Sequence, residues 1–194
     1  VDNNFSFSCL GLTIDDAAGE AFDKVAKILG LGYPGGPLIE RLAGSGDAQK
    51  VRLSCRGPEG LDFSFSGIKT AVLYKSPRDY ARGRQVTPRL RSGQAGRKPR
   101  VADMAASFQR AVVEALVEKS LLACERNKIK TLVIGGGVAA NNYLRNRFNQ
   151  EAGLKDIKVY FPAPALSLDN AAMIAGLGYQ LRNLYQNSLT HCNI

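Results

Sequence analysis

The chain has 194 residues, 45% of them apolar and 22% charged, enough for the buried core of one ordinary domain or two small ones. These fractions exclude a disordered or fibrous protein, and no apolar run approaches the length of a membrane-spanning helix. The net charge of +9 is concentrated: nine basic residues and one acid lie between Lys75 and Arg100, while the other 17 basic and 16 acidic residues nearly cancel.

In chain order, residues 14–29 predict a helix. Ile14, Ala18, Phe22, Val25 and Leu29 recur at steps of three or four, Asp15 and Asp16 stand in the first turn, and Gly30 follows the end. Gly32–Pro37 is a turn cluster from which a short helix, Leu38–Leu42, can start behind Pro37. Residues 50–55 alternate as a strand does, and a second helix is predicted from Ser66 to Tyr74. The basic stretch 75–100 is rich in Gly, Pro, Ser and Gln and reads as a solvated loop or linker. Beyond it a long helix is expected from Val101 to about Glu125, with Met104, Phe108, Val112, Leu116 and the Leu121–Leu122 pair on one side. Lys130–Ile134 reads as a short buried parallel strand leading into Gly135-Gly136-Gly137. A helix over Asn141–Asn149, a strand over Ile157–Phe161 and a last helix over Ser167–Tyr185 follow, the last with Ile174, Leu177, Leu181 and Leu184 facing inward. Helices alternating with short strands predict an α/β layered fold. The expected organisation is 1–74, a helical part; 75–100, the linker; and 101–194, an α/β part.

The cysteines (Cys9, Cys55, Cys124, Cys192) are far apart and form no C-x-x-C pair, so free thiols of a reducing compartment are expected. The one histidine, His191, leaves no His-rich metal site within the chain. No leader pattern precedes the first helix, so secretion is not expected. The chain opens at Val1, which implies either a processed start or a missing beginning.

Three motifs could carry chemistry. Thr131–Asn141 is a strand, a glycine-rich turn and a helix start. Glycines at a strand's C-terminal end let a ligand approach backbone N–H groups, at the edge where open α/β sheets bind ligands. Asn141 could donate and accept toward a base or ribose; a turn that merely packs helix on sheet is the alternative. In Asp15–Lys24, the acids Asp16, Glu20 and Asp23 share one helical face, suited to ribose hydroxyls, or simply to solvent with Asp23 and Lys27 paired. In Ser167-Leu168-Asp169-Asn170, Ser167 reads as an N-cap and Asp169 as a first-turn acid able to ligate a divalent metal. The basic stretch is either a phosphate-contacting arm or a self-repelling linker.

These segments occur together in a known order. Ile14–Pro37 (I-D-D-A-A-G-E-A-F-D-K-V-A-K-I-L-G-L-G-Y-P-G-G-P), Asp62–Thr70 (D-F-S-F-S-G-I-K-T), Val133–Asn141 (V-I-G-G-G-V-A-A-N) and Leu168–Ala175 (L-D-N-A-A-M-I-A) closely resemble the tRNA N6-adenosine threonylcarbamoyltransferase family, formerly O-sialoglycoprotein endopeptidases, with the bacterial or organellar branch nearest. The resemblance covers nearly all of the chain except the basic loop and the ends. It implies the actin-like, sugar-kinase-like ATPase fold, here the C-terminal lobe with most of the N-terminal lobe missing. The implied reaction moves a threonylcarbamoyl group from an adenylate to N6 of adenosine 37 in tRNAs that read codons beginning with A. On matching positions Asp23, Gly36, Glu40, Gly136, Gly137 and Asn141 are expected to hold the adenine nucleotide (threonylcarbamoyl-AMP or ATP), and Asp169 an iron or zinc ion. Many relatives have Asp where this chain has Glu40. An H-x-x-x-H pair and a Ser-Gly-Gly loop found in relatives are not in this sequence, so the metal's ligand set is incomplete and the piece alone is expected to be inactive. Expected partners are tRNA, a paralogous subunit and the ATPase of the threonylcarbamoylation complex, with self-association as a further form; no membrane is expected, and the setting is cytoplasmic or an organellar matrix. The rival reading is a non-catalytic truncated paralogue acting as a dimerisation module.

Overall fold

A computed structural model describes residues 8–55, 57–76, 99–168 and 170–190. Most of the basic stretch, with Asp169, His191 and Cys192, lies outside the described residues. The helices are α1 (Ala18–Ile28), α2 (Gly35–Ala43), α3 (Ser66–Lys75), α4 (Val101–Arg126), α5 (Asn142–Gly153) and α6 (Ala171–Thr190). Between α4 and α6 lie two parallel strands, β1 (Thr131–Val133) and β2 (Lys158–Tyr160), paired Leu132 to Val159. The expected α/β class is observed.

Helix α1 starts at Ala18, four residues later than the periodicity predicts. Ile14 is spent on a bridge instead: its N–H donates to the Phe63 carbonyl at 2.9 Å, beside the parallel bridge of Thr13 with Phe63. Tertiary pairing thus outweighs a helical pattern. The end of α1 follows the sequence signal. Gly30 takes φ 70°, its N–H reaches Lys27 O and the Leu31 N–H reaches Ala26 O at 2.9 Å, which closes the last turn. Helix α2 begins at Gly35, ahead of Pro37, so the proline lies within the first turn.

No strand forms over 50–55. The alternation survives as burial: Val51 is buried and Leu53 and Cys55 pack on the core. The backbone finds side-chain partners instead of a ladder: Val51 N–H donates to Ser107 Oγ at 3.3 Å, and Lys75 Nζ donates to the Arg52 carbonyl.

Helix α4 organises the rest. Its residues 103–109 are all buried, more than one amphipathic face would need, because α1, α2 and α3 wrap that half. Phe22, Val25, Ile39, Phe65, Ile68, Met104, Phe108 and Val112 fill this core, each such side chain contributing about 1.5–3 kcal/mol. The second half of α4 supplies Val113, Val117 and Leu121 to another core with Leu144 and Phe148 of α5 and Ile157.

Two expectations of burial are corrected. β1 is parallel, yet Val133 is 73% exposed and Tyr160 of β2 is 55% exposed, because the described residues cover only one face of this pair. Helix α6 begins at Ala171, and Ile174, Leu177 and Leu181 are exposed rather than inward; the Leu184 side chain lies outside the description. Its N-terminus is capped by Asn170, whose Oδ1 accepts the Met173 N–H at 3.0 Å, and not by Ser167. Among the described residues no helix is long and apolar enough to cross a membrane.

Cys9, Cys55 and Cys124 are free. Burial, assisted by the charge of Asp15 and opposed by Lys119, pushes the Cys55 thiol up to about 11; burial and Glu125 raise Cys124. At about pH 8 iodoacetamide is therefore expected to alkylate exposed Cys9 quickly and Cys55 and Cys124 slowly. Peptide mass spectrometry over time checks this; equal rates at the three would contradict the packing.

Candidate functional site

The three acids of the Asp15–Lys24 motif do not act as one face: Asp16 and Glu20 gather on Lys24, and Asp23 does not. Asp15 and Asp16 precede α1 and lock it in place. The Asp15 carboxylate accepts from Ser64 Oγ, from the Phe65 N–H at 2.7 Å and from the Ser66 N–H at 3.3 Å, capping α3 from a distant segment. Burial opposes its ionisation, but these hydrogen bonds outweigh it and hold the carboxyl below its ordinary value. Asp16 takes Lys24 at 2.6 Å and Lys69 at 2.9 Å, and those two ammonium groups lower its pKa. Glu20 meets Lys24 at 2.7 Å. Asp23 turns away from this cluster, and its Oδ1 accepts the Gly35 N–H at 2.7 Å; among the described residues no ion pair joins it to Lys27.

Helix α2 carries the next two predicted residues. Gly35 touches α1 so closely that a Cβ would lie 2.6 Å from Asp23 Cα and 2.7 Å from Phe22 O. Gly36 is different: nothing among the described residues lies within 4 Å of where its Cβ would be. Packing explains the first glycine and not the second, whose backbone is left open to a ligand. One turn on, Glu40 Oε1 accepts the Asn142 N–H at 2.8 Å and Asn142 Nδ2 at 3.0 Å, joining α2 to the start of α5.

The glycine turn follows β1. Gly136 takes φ 90°, which an L side chain rarely adopts, and no described atom lies within 4 Å of a Cβ at Gly135 or Gly136. The turn passes through a short 3-10 segment, Gly137–Ala140, into α5. Asn141 caps α5: its Oδ1 accepts the Leu144 N–H at 2.9 Å, and its Nδ2 donates to Gln109 Oε1 at 2.9 Å, so the side chain is buried and engaged on both ends. Each end of an amide has one further hydrogen-bonding valence. Arg145 then reaches back to the Ala139 carbonyl at 2.6 Å and across to the Pro162 carbonyl at 2.7 Å.

A hollow of about 490 Å³ lies between Ala17 and Ala18 at the start of α1, Leu116 and Ser120 of α4, and Gly135–Gly137. The side chains that line it are apolar apart from Ser120, and the three glycines of the turn form part of its wall. Of the predicted residues, Gly136 and Gly137 line it. Asp23, Gly36, Glu40 and Asn141 do not; the first three form a rim along α2, held by the Asp23–Gly35 bond at one end and the Glu40–Asn142 bond at the other, while Asn141 caps α5 and is tied to Gln109 of α4. The arrangement can hold a ligand through backbone N–H groups and carboxylates, and among the described residues that line the hollow no nucleophile stands beside a base. Asp169 lies outside the described residues. Among the described residues no three His, Cys, Asp or Glu side chains gather to hold a metal. A catalytic ion takes about three protein ligands, so these residues do not fit an iron or zinc site by themselves.

Sequence reasoning missed Asn142 and Arg145. Both stand in the first turns of α5, where a polar residue ordinarily faces solvent, and only their distant partners distinguish them.

Comparison with known proteins supplies a family. The family model described as tRNA N6-adenosine threonylcarbamoyltransferase matches residues 1–176. A protein of that name from Dictyoglomus turgidum is 50% identical over 175 residues, covering 90% of this chain and 48% of the relative. One from Symbiobacterium thermophilum is 49% identical over 173 residues, 89% of this chain and 47% of the relative. The chain therefore spans about half the length of the curated relatives it matches. Among solved structures, that of T.kodakarensis HypF superposes with a TM-score of 0.58 at 18% identity, over 84% of this chain and 20% of that one. A full-length HypF in its phosphate- and nucleotide-bound form gives 0.53 at 18% identity, over 78% and 22%. At this identity the likeness speaks for the fold.

Proposed function

The chain belongs to the tRNA N6-adenosine threonylcarbamoyltransferase family, and from that membership we propose that it supplies the adenine-nucleotide side of an enzyme that threonylcarbamoylates tRNA. The fold is part of an actin-like ATPase type. In the proposed reaction the N6 amine of adenosine 37, in tRNAs reading codons that begin with A, attacks the carbamoyl carbonyl of threonylcarbamoyl-adenylate. A C–N bond forms, the bond from that carbon to the AMP phosphate oxygen breaks, the amine gives up a proton, and AMP leaves.

The observation that carries this reading is the pair of open backbones, Gly36 on α2 and Gly135–Gly136 after β1, held together by Glu40 and Asn142. We assign the AMP portion to that rim: amides of the glycine turn toward the phosphate, Asp23 and Glu40 toward ribose hydroxyls, and the free valences of Asn141 toward the base. The basic stretch 75–100 is proposed to steer tRNA, since nine cations facing one acid can neutralise several phosphates. A family metal is proposed with Asp169 as one ligand. The paralogous subunit and the ATPase are proposed partners, and a reducing cytoplasm or organellar matrix the setting, supported by the free thiols. The rival reading, a non-catalytic dimerisation module, is not favoured: the relatives matched are named as transferases.

A hybrid tests the proposal. This chain replaces the matching part of the Dictyoglomus turgidum relative, and the product is assayed with tRNA and threonylcarbamoyl-adenylate, reading modified nucleosides by mass spectrometry. Threonylcarbamoyladenosine is expected from the hybrid and none from the 194 residues alone. A folded hybrid that binds AMP yet makes no product would contradict the reading.

A further inference from the structure

Arg145 makes more tertiary contacts than a helix-surface arginine needs. Its Nε donates to the Ala139 carbonyl at 2.6 Å, and its Nη2 donates to the Pro162 carbonyl at 2.7 Å and to Ser167 Oγ at 3.3 Å. The guanidinium carbon stands 4.9 Å from the centre of the Phe161 ring, a cation–π contact. Ser167 is 4% exposed, and its Oγ also donates to the Ala163 carbonyl at 3.4 Å. One side chain thus binds the end of the glycine turn and three points of the segment that runs from β2 toward α6. A second contact joins the same two pieces: a Cβ on Gly137 would sit 3.4 Å from Leu168 Cδ2.

Lysine could not replace this arginine. A planar fork of five donors can serve three acceptors in different directions while its face lies on a ring; an ammonium is a single point.

We propose that Arg145 is a positioning residue that couples the glycine turn to the 161–168 segment, so that an adenine nucleotide seated at the turn orders the chain leading into Asp169. The nucleotide part of this statement rests on the function proposed above; the coupling part does not. Arg145 touches no proposed ligand, so it acts through the turn.

Two arms separate the parts. In the first, hydrogen exchange of the ligand-free chain is compared between wild type and Arg145→Lys. The variant is expected to exchange faster by about tenfold, the scale of one lost hydrogen bond to a charged group, at both Gly136–Asn141 and Phe161–Leu168, with α1 and α2 unchanged. Acceleration at only one of the two segments, at neither, or throughout the chain would overturn the coupling, whatever nucleotides do. In the second arm, AMP is titrated into labelled protein. Wild type is expected to show shifts at the Gly135–Gly137 amides that extend to Ser167 and Leu168, and Arg145→Lys to keep the first set and lose the second. Shifts reaching Ser167 equally in both proteins would overturn the role of Arg145 in transmission. An absence of shifts at the turn in wild type would overturn the nucleotide part alone, leaving the coupling to the exchange result.

Discussion

Phe108→Ala is expected to destabilise the protein by about 3–5 kcal/mol, the usual scale for emptying a buried phenylalanine site. Phe108 is fully buried, and its ring meets Phe22 edge-on with centroids 5.0 Å apart. That contact is where α4 holds α1, and Ala17 and Ala18 at the start of α1 form one wall of the hollow. The loss is therefore large against the 5–15 kcal/mol of a typical domain, and it falls on the element that positions the site. Urea unfolding followed by circular dichroism measures it. Phe108→Leu, which keeps most of the volume, should cost clearly less. A midpoint for Phe108→Ala within error of wild type would show that this core is not packed as described.

The second large effect separates two adjacent glycines. Gly35→Ala places a methyl 2.6 Å from Asp23 Cα, 2.7 Å from Phe22 O and 2.8 Å from Ala26 Cβ. Two of those three atoms are backbone and cannot rotate away, so α2 must move off α1 and the Gly35–Asp23 hydrogen bond must stretch. Overpacking costs about 1–3 kcal/mol and a hydrogen bond to a charged group about 1.5–3 kcal/mol, so a loss of about 3 kcal/mol is expected. Gly36→Ala meets nothing within 4 Å. Its stability should change by less than about 1 kcal/mol, while AMP affinity should drop, because the methyl fills the space over an open backbone. Thermal or urea melts with parallel AMP titrations check the pair. Equal effects of the two substitutions on both readouts would contradict the account of α2.

The contrast also marks what the sequence could reveal. The turn signals were readable: Gly30 closes α1 in the left-handed conformation its position after the last apolar residue predicts, and α3, α4 and α5 begin within a residue of their expected starts. The glycine turn after β1 was readable for the same local reason. Long-range demands were not. Ile14 continues a helical stripe but pairs with Phe63; Val51–Cys55 alternates like a strand but finds side-chain partners; Asp15 looks like a first-turn acid and caps a helix fifty residues away. The parallel strand was legible as a strand but not as an uncovered one, since an apolar run shows what wants to be buried and not what is there to bury it. At the site, Asp23 and Glu40 could be picked out by resemblance, whereas their tethering roles, and Arg145 altogether, depend on partners 12, 102 and up to 22 positions away.

The central claim is that the glycine turn and the α2 rim form one seat for an adenine nucleotide. Titration of the isotopically labelled chain with AMP, followed residue by residue in amide spectra, tests it most directly. The account predicts saturable binding, with a Kd on the order of 1 mM (about −4 kcal/mol) for this chain by itself, shifts at Gly36 and at Gly135–Gly137 that titrate together, and a weaker Kd in Asp23→Ala. Shifts that stay at one of these two places, or that appear only on unrelated surfaces, would contradict it.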